Sequence, residues 1–189
     1  MPEGDEEVVG RSDASAPTAF VELFWRHGDA VHAYLVRRTG RQDADDLLSE
    51  VWLRAFKGRA NYDPRWPDAR PWLYGIARHV LLAHWRRSGR PLVPLAEPAA
   101  LDCWDEVDSR LDATGERARL QRVLATLSTD DREVLLLVTW EQLTPSEVAV
   151  ALGIPQGTAR SRLHRALSVF RREFEDESFV PVRCHPKEA

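Results

Sequence analysis

The stretch TPSEVAVALGIPQGTARSRLHRALSVFRRE, from Thr144 to Glu173, decides the fold. Thr144-Pro145-Ser146-Glu147 reads as a capping box with proline at the first helical position, where no backbone N–H is needed. Gly153 closes that short helix, and Ile154-Pro155 turns the chain into a longer helix from about Gln156 to Phe174. Two helices across a glycine-containing turn form a helix-turn-helix, whose second helix can enter the major groove of DNA. On a helical wheel Ala159, Leu163, Ala166, Leu167 and Phe170 share an arc of about 100°. Arg160, Ser161, His164, Arg165 and Arg172 lie outside that arc, and residues 155–172 contain five Arg and no acid. A merely solvated face mixes signs, so this helix is expected to touch DNA.

Upstream, Leu120, Val123, Leu124 and Leu127 fall on one face of a helix over about 117–127. Ser128-Thr129-Asp130-Asp131 is a cap and restart for a helix over about 131–142. Residues 91–116 hold three prolines early on, then an acidic run of seven acids against one Arg, and read as a flexible linker. Before it, three helices are expected: about 19–38, ended by Gly40; about 43–57, ended by Gly58; and about 72–88, opened by Pro71. Asn61 to Ala69 is a loop, NYDPRWPDA, carrying Tyr62 and Trp66. Residues 1–18, with five acids and one Arg, read as a disordered acidic tail. No strand pattern is convincing. The fold class is all-α: two small helical domains joined by a flexible acidic linker, the second a helix-turn-helix domain.

The 189 residues suffice for one ordinary domain or two small ones. No apolar run approaches the ~18 residues of a membrane span, and the acidic N-terminus has no apolar core of a signal peptide. A cytoplasmic protein without membrane insertion is expected. Two cysteines, Cys103 and Cys184, exclude a disulfide framework. The net charge of −4 looks wrong for a nucleic-acid binder, but the mean hides a segregated pattern. Residues 70–90 also carry five Arg and no acid. Arg78, His79, Arg86 and Arg90 fall within about 120° of the wheel. Trp72, Tyr74 and Trp85 are interleaved, and aromatics beside arginines suit stacking on unpaired bases, although Trp72 itself reads as a core anchor.

The order of these parts resembles the extracytoplasmic-function sigma factors of bacterial RNA polymerase, within the sigma-70 family. The resemblance rests on DADDLLSEVWLRAFKG (Asp43–Gly58), RPWLYGIARHVLLAHWRR (Arg70–Arg87) and LGIPQGTARSRLHRAL (Leu152–Leu167), and spans about residues 19–174. It implies a σ2 domain over 19–90, the linker over 91–116, a σ4 domain over 117–175 and a C-terminal tail over 176–189. It implies docking on core polymerase through Asp45, Asp46, Ser49 and Glu50, Ser49 standing where the family often has Gln. It implies contacts to the −10 element from Tyr62, Trp66, Arg78, His79, Arg86 and Arg90. The family's Ala-Arg-Asn, with Asp four residues after the Asn, reads Ala77-Arg78-His79 with Ala83. Contacts to the −35 element fall on Gln156, Thr158, Arg160, Ser161, His164 and Arg165. The implied partners are core RNA polymerase, promoter DNA and an anti-sigma factor of the kind that restrains many members.

No nucleotide-binding glycine loop, H-E-x-x-H or G-x-S-x-G motif occurs, so no enzymatic activity and no cofactor is expected. The His27/His32 and His79/His84 pairs are spaced i,i+5, which disfavours a helical zinc site. The lone linker thiol Cys103 reads as incidental. The competing reading is a stand-alone helix-turn-helix regulator, in which the first segment would have no role.

Overall fold

Helix caps and apolar spacing account for most of what the computed structural model shows; it describes residues 4–11, 17–88 and 116–174. Among the described residues there are eight α-helices, one 3-10 turn and no strand. They are α1 (Asp5–Arg11), α2 (Pro17–Thr39), α3 (Arg41–Gly58), the 3-10 turn (Arg59–Asn61), α4 (Arg70–Ser88), α5 (Glu116–Thr126), α6 (Thr129–Thr139), α7 (Pro145–Leu152) and α8 (Gln156–Phe174). The expected linker other than Glu116, Arg90, Cys103 and the 176–189 tail lie outside the described residues. No described helix is long and apolar enough to cross a membrane.

The chain divides into two compact units. In the first, α2, α3 and α4 pack pairwise on one another. Leu23, Val31 and Leu35 of α2 are buried with Leu47 and Val51 of α3 and Leu73, Val80 and Leu81 of α4. Each such side chain contributes about 1.5–3 kcal/mol by leaving water. Tyr34 and Tyr74 meet at 5.1 Å between ring centroids, and the buried Arg38 places its guanidinium 3.6 Å above the Tyr34 ring. Gly40, at φ 82°, makes the sharp corner between α2 and α3 that side-chain-bearing residues rarely adopt.

The expectation that residues 1–18 are a disordered tail is overturned at the described part of that segment. Residues 5–11 form α1, which packs on α2 and on the 3-10 turn. The acidic count that suggested disorder overlooked Val8 and Val9, both buried, and Asp5, whose charge is compensated inside the fold. The aromatics of α4 also differ from expectation. Tyr74 and Trp85 are buried in the core and cannot stack on bases.

In the second unit α8 packs on α6 and α5. Its core holds Val123, Leu124, Val134, Leu137, Val148, Ala159 and Ala166. Every predicted cap here takes the predicted form. Ser128 Oγ accepts from the Asp131 N–H at 3.1 Å. Thr144 Oγ1 accepts from the Glu147 N–H at 3.3 Å, and Glu147 Oε2 accepts from the Thr144 N–H at 2.7 Å. The turn between α7 and α8 is a Schellman closure. Ile154 N–H donates to the Ala149 carbonyl at 3.0 Å and Gly153 N–H to the Val150 carbonyl at 3.1 Å. Gly153 sits at φ 63°, the left-handed conformation such a closure needs.

Candidate nucleic-acid interface

The helix-turn-helix presents α8. Ala159 and Ala166 are buried, and Gln156, Arg160, Ser161, His164 and Arg165 are exposed, with Thr158 half-buried. All six expected base-reading positions therefore lie within the first ten residues of one helix, but they are not equivalent. Ser161 Oγ already donates to the Thr158 carbonyl at 3.0 Å. Arg165 grips Asp131 with two nitrogens, at 2.7 and 3.3 Å. Arg162 holds Asp130 at 2.6 Å. Burial pushes the Asp131 carboxyl up, and hydrogen bonds from Arg165 and Ser128, with the charges of Arg165 and Arg162, outweigh it, so its pKa lies below the usual range. Two of the five arginines in the basic block are thus neutralised inside their own domain. A count of charge along residues 155–172 misses this, because the acids stand more than thirty residues upstream. Arg160 and His164 remain exposed one turn apart at the start of α8.

In the first unit the loop before α4 is built to hold shape. Tyr62 is 8% exposed, its ring edge-on to Trp72 at 5.3 Å, and its hydroxyl donates to the Trp66 carbonyl. The expectation that Tyr62 faces DNA is corrected: its ring is core and its hydroxyl staples the loop. Burial first, then the carboxylates of Asp5, Glu6, Asp68 and Asp63, push its phenol far above the usual pKa. Asp63 accepts from the Arg65 N–H at 3.1 Å, and Asp68 Oδ1 accepts from the Arg70 N–H at 2.8 Å, capping α4. Trp66 is half-buried within this frame. On α4, Arg78 is partly exposed and His79 and Arg86 are exposed, Arg86 donating to the Leu82 carbonyl at 3.2 Å.

The four expected docking residues share α3. Asp45 is exposed and meets His32 Nε2 at 2.9 Å. Ser49 Oγ donates back to the Asp45 carbonyl at 3.2 Å. Glu50 bridges Arg54 at 2.5 Å and Arg87 of α4 at 3.6 Å. Asp46 is exposed. Between α2 and α3 an apolar strip opens to solvent, lined by Phe20, Val21, Phe24, Trp25, Trp52 and Phe56, with Trp25 77% exposed. Exposed strips of that kind mark interaction surfaces.

Sequence reasoning also missed Asp5. Its Oδ2 accepts from His27 Nε2 at 2.7 Å and from the Ala69 N–H at 2.9 Å, and its Oδ1 from Arg26 Nη1 at 3.0 Å. Asp5, His27 and Asp68 bring potential metal ligands within 4.8 Å of one another. Both Asp5 oxygens are already engaged by donors, so this set is a hydrogen-bonded knot and fits a cation poorly.

Two family models match the chain: sigma-70 region 2 over residues 23–91 and sigma-70 region 4 over residues 117–168. An ECF RNA polymerase sigma factor, SigE of Mycolicibacterium smegmatis, is 32% identical over 181 residues, covering 90% of this chain and 67% of that protein. Among solved structures, CnrH in complex with the cytosolic domain of CnrY has a TM-score of 0.61 at 24% identity, covering 92% of this chain and 99% of that one. The sigma factor RpoE, co-crystallised with the anti-sigma factor NepR from Bartonella quintana, has a TM-score of 0.56 at 20% identity, over 84% of this chain and 98% of that one. Both structural likenesses concern the fold.

Proposed function

We propose a division of labour for a chain that belongs to the extracytoplasmic-function RNA polymerase sigma factors of the sigma-70 family. The protein is a sigma factor that directs promoter-specific transcription initiation; sigma factors are not enzymes, and their work is binding and positioning. The stand-alone helix-turn-helix regulator is not favoured, because residues 23–91 match sigma-70 region 2. What we infer is which residues do what. Residues 19–90 act as σ2, 117–175 as σ4, and 91–116 as the connection between them. The protein works in the cytoplasm with core RNA polymerase and promoter DNA, and an anti-sigma factor restrains it.

Within σ4, Arg160 and His164 read bases of the −35 element, since they stand exposed on the first turns of α8 and Arg fits the O6 and N7 acceptors of guanine. Gln156, Thr158 and Ser161 border them. Arg165 orients the helix against Asp131 and reaches DNA only secondarily. Within σ2, the stapled loop presents Trp66 to an unpaired base of the −10 element, and Arg78, His79, Arg86 and Arg90 hold the strand backbone. On α3, Asp46 is the acid best able to meet a basic partner, with Asp45, Ser49 and Glu50 around it and the apolar strip alongside. The single observation that carries the reading is the helix-turn-helix with its exposed Arg160–His164 pair, in a chain matched by both sigma-70 regions.

Run-off transcription with core polymerase tests it. Promoter-dependent transcripts are expected only when the chain is added. No transcript above core alone, on any promoter that a −35/−10 selection retrieves, would overturn the function. Asp46→Lys is expected to weaken capture of core polymerase while leaving −35 duplex binding intact. Unchanged capture would remove Asp46 from the docking surface.

A further inference from the structure

We propose that Asp5 is a positioning residue for promoter opening: from α1 it fastens the 62–69 loop that carries Trp66. The inference rests on the reading of that loop as the site of base capture. Ala69 caps the N-terminus of α4, so its N–H has no acceptor within the helix, and it donates instead to Asp5 Oδ2 at 2.9 Å across 64 residues of sequence. A carboxylate at a helix N-terminus is favoured both as a hydrogen-bond acceptor and by the helix dipole. Its neighbour, the Arg70 N–H, goes to Asp68 at 2.8 Å. The first two donors of α4 are thus shared between the loop's own Asp68 and a carboxylate from the far N-terminal helix.

The rest of α1 is arranged to hold Asp5 there. Val8 and Val9 anchor the helix in the core, and α1 packs on the 3-10 turn that leads into the loop. Arg26 and His27 of α2 hold the two Asp5 oxygens at 3.0 and 2.7 Å. The loop is consequently pinned at its entry by α1, at its exit by Asp5 and Asp68, and across its middle by the Tyr62–Trp66 hydrogen bond. A loop ordered in advance spends no conformational entropy when it takes up a base. Releasing its exit would transfer that ordering cost to the opening step.

The test uses the full chain with core polymerase and compares Asp5→Ala, Asp5→Asn and Trp66→Ala. Promoter opening is read by 2-aminopurine fluorescence in the −10 element, core affinity by titration, and loop order by amide hydrogen exchange over 62–69. Asp5→Ala is expected to speed exchange at Ala69 and through the loop. It should reduce opening about tenfold, the factor set by re-ordering one backbone residue, with core affinity unchanged. Asp5→Asn keeps an acceptor for the Ala69 N–H and should recover part of both effects. A merely structural Asp5 would lose core affinity and opening together in all Asp5 variants, and that result would overturn the proposal. So would unchanged loop exchange in Asp5→Ala, or normal opening in Asp5→Ala while Trp66→Ala is defective. Faster exchange in Asp5→Ala with normal opening in Trp66→Ala would instead overturn base capture by the loop, leaving the Asp5 fastening intact.

Discussion

Arg160 and Arg165 are both exposed arginines on one helix, five residues apart, and the structure predicts opposite consequences of losing them. Arg160 stands at the start of the second turn of α8 and is exposed to solvent. Arg160→Ala should remove a base contact worth about 1–3 kcal/mol, a loss of about 5- to 150-fold on the matching −35 duplex. It should leave binding to a scrambled duplex nearly unchanged and shift the melting temperature little, as for a surface residue without partners. Arg165 instead grips Asp131 through two nitrogens. The Asp131 side chain is 12% exposed, but that of Arg165 is 57% exposed, so solvent screens the pair and weakens it without removing the link between α8 and α6. Arg165→Ala should therefore lower the melting temperature of the C-terminal unit and weaken matched and scrambled duplexes alike. Fluorescence anisotropy with the two duplexes at two salt concentrations, beside thermal melts of the full chain, separates the outcomes. If Arg165→Ala relaxes sequence preference as strongly as Arg160→Ala and melts normally, the ion pair does not partition the two residues and the reasoning fails.

Three further outcomes follow from local geometry. Thr144→Ala removes one half of the capping box on α7 and should cost about 1 kcal/mol, seen as a lower melting temperature with no change in core-polymerase affinity. Gly153→Ala forces a side chain into the left-handed turn, where nothing else crowds the new Cβ, and should cost about 1–2 kcal/mol; Gly153→Asn should cost less, and equal losses would argue against the turn geometry. The Asp5 carboxyl is pushed up by burial, but hydrogen bonds from His27, Ala69 and Arg26, with the charge of His27, bring its pKa down from 3.8 to about 2. A depressed carboxylate stabilises the fold fully above its unfolded pKa and loses that contribution as pH falls through its folded pKa. About 2 kcal/mol should thus disappear between roughly pH 4 and pH 2, and Asp5→Ala should flatten that part of the stability curve.

The local features of the helix-turn-helix unit were legible in the amino-acid sequence. The capping box at Thr144–Glu147, the Ser128 cap, the Gly153 stop and the apolar spacing of α8 are interactions within one or two turns. Their partners are fixed by the chain itself, so the helix-turn-helix, the all-α class and the two-part layout could be read without coordinates. Which arginines are available to DNA could not. Arg165 and Arg162 belong to a basic run in sequence, yet each meets an acid 34 and 32 positions upstream because α6 and α8 pack together. Tyr62 looks like an exposed loop aromatic until Trp72 covers its ring. The acids before residue 14 read as solvated until Asp5 is seen bonded across 64 residues to Ala69. A charge's worth is set by what lies within a few ångströms, and that distance is decided by tertiary packing alone.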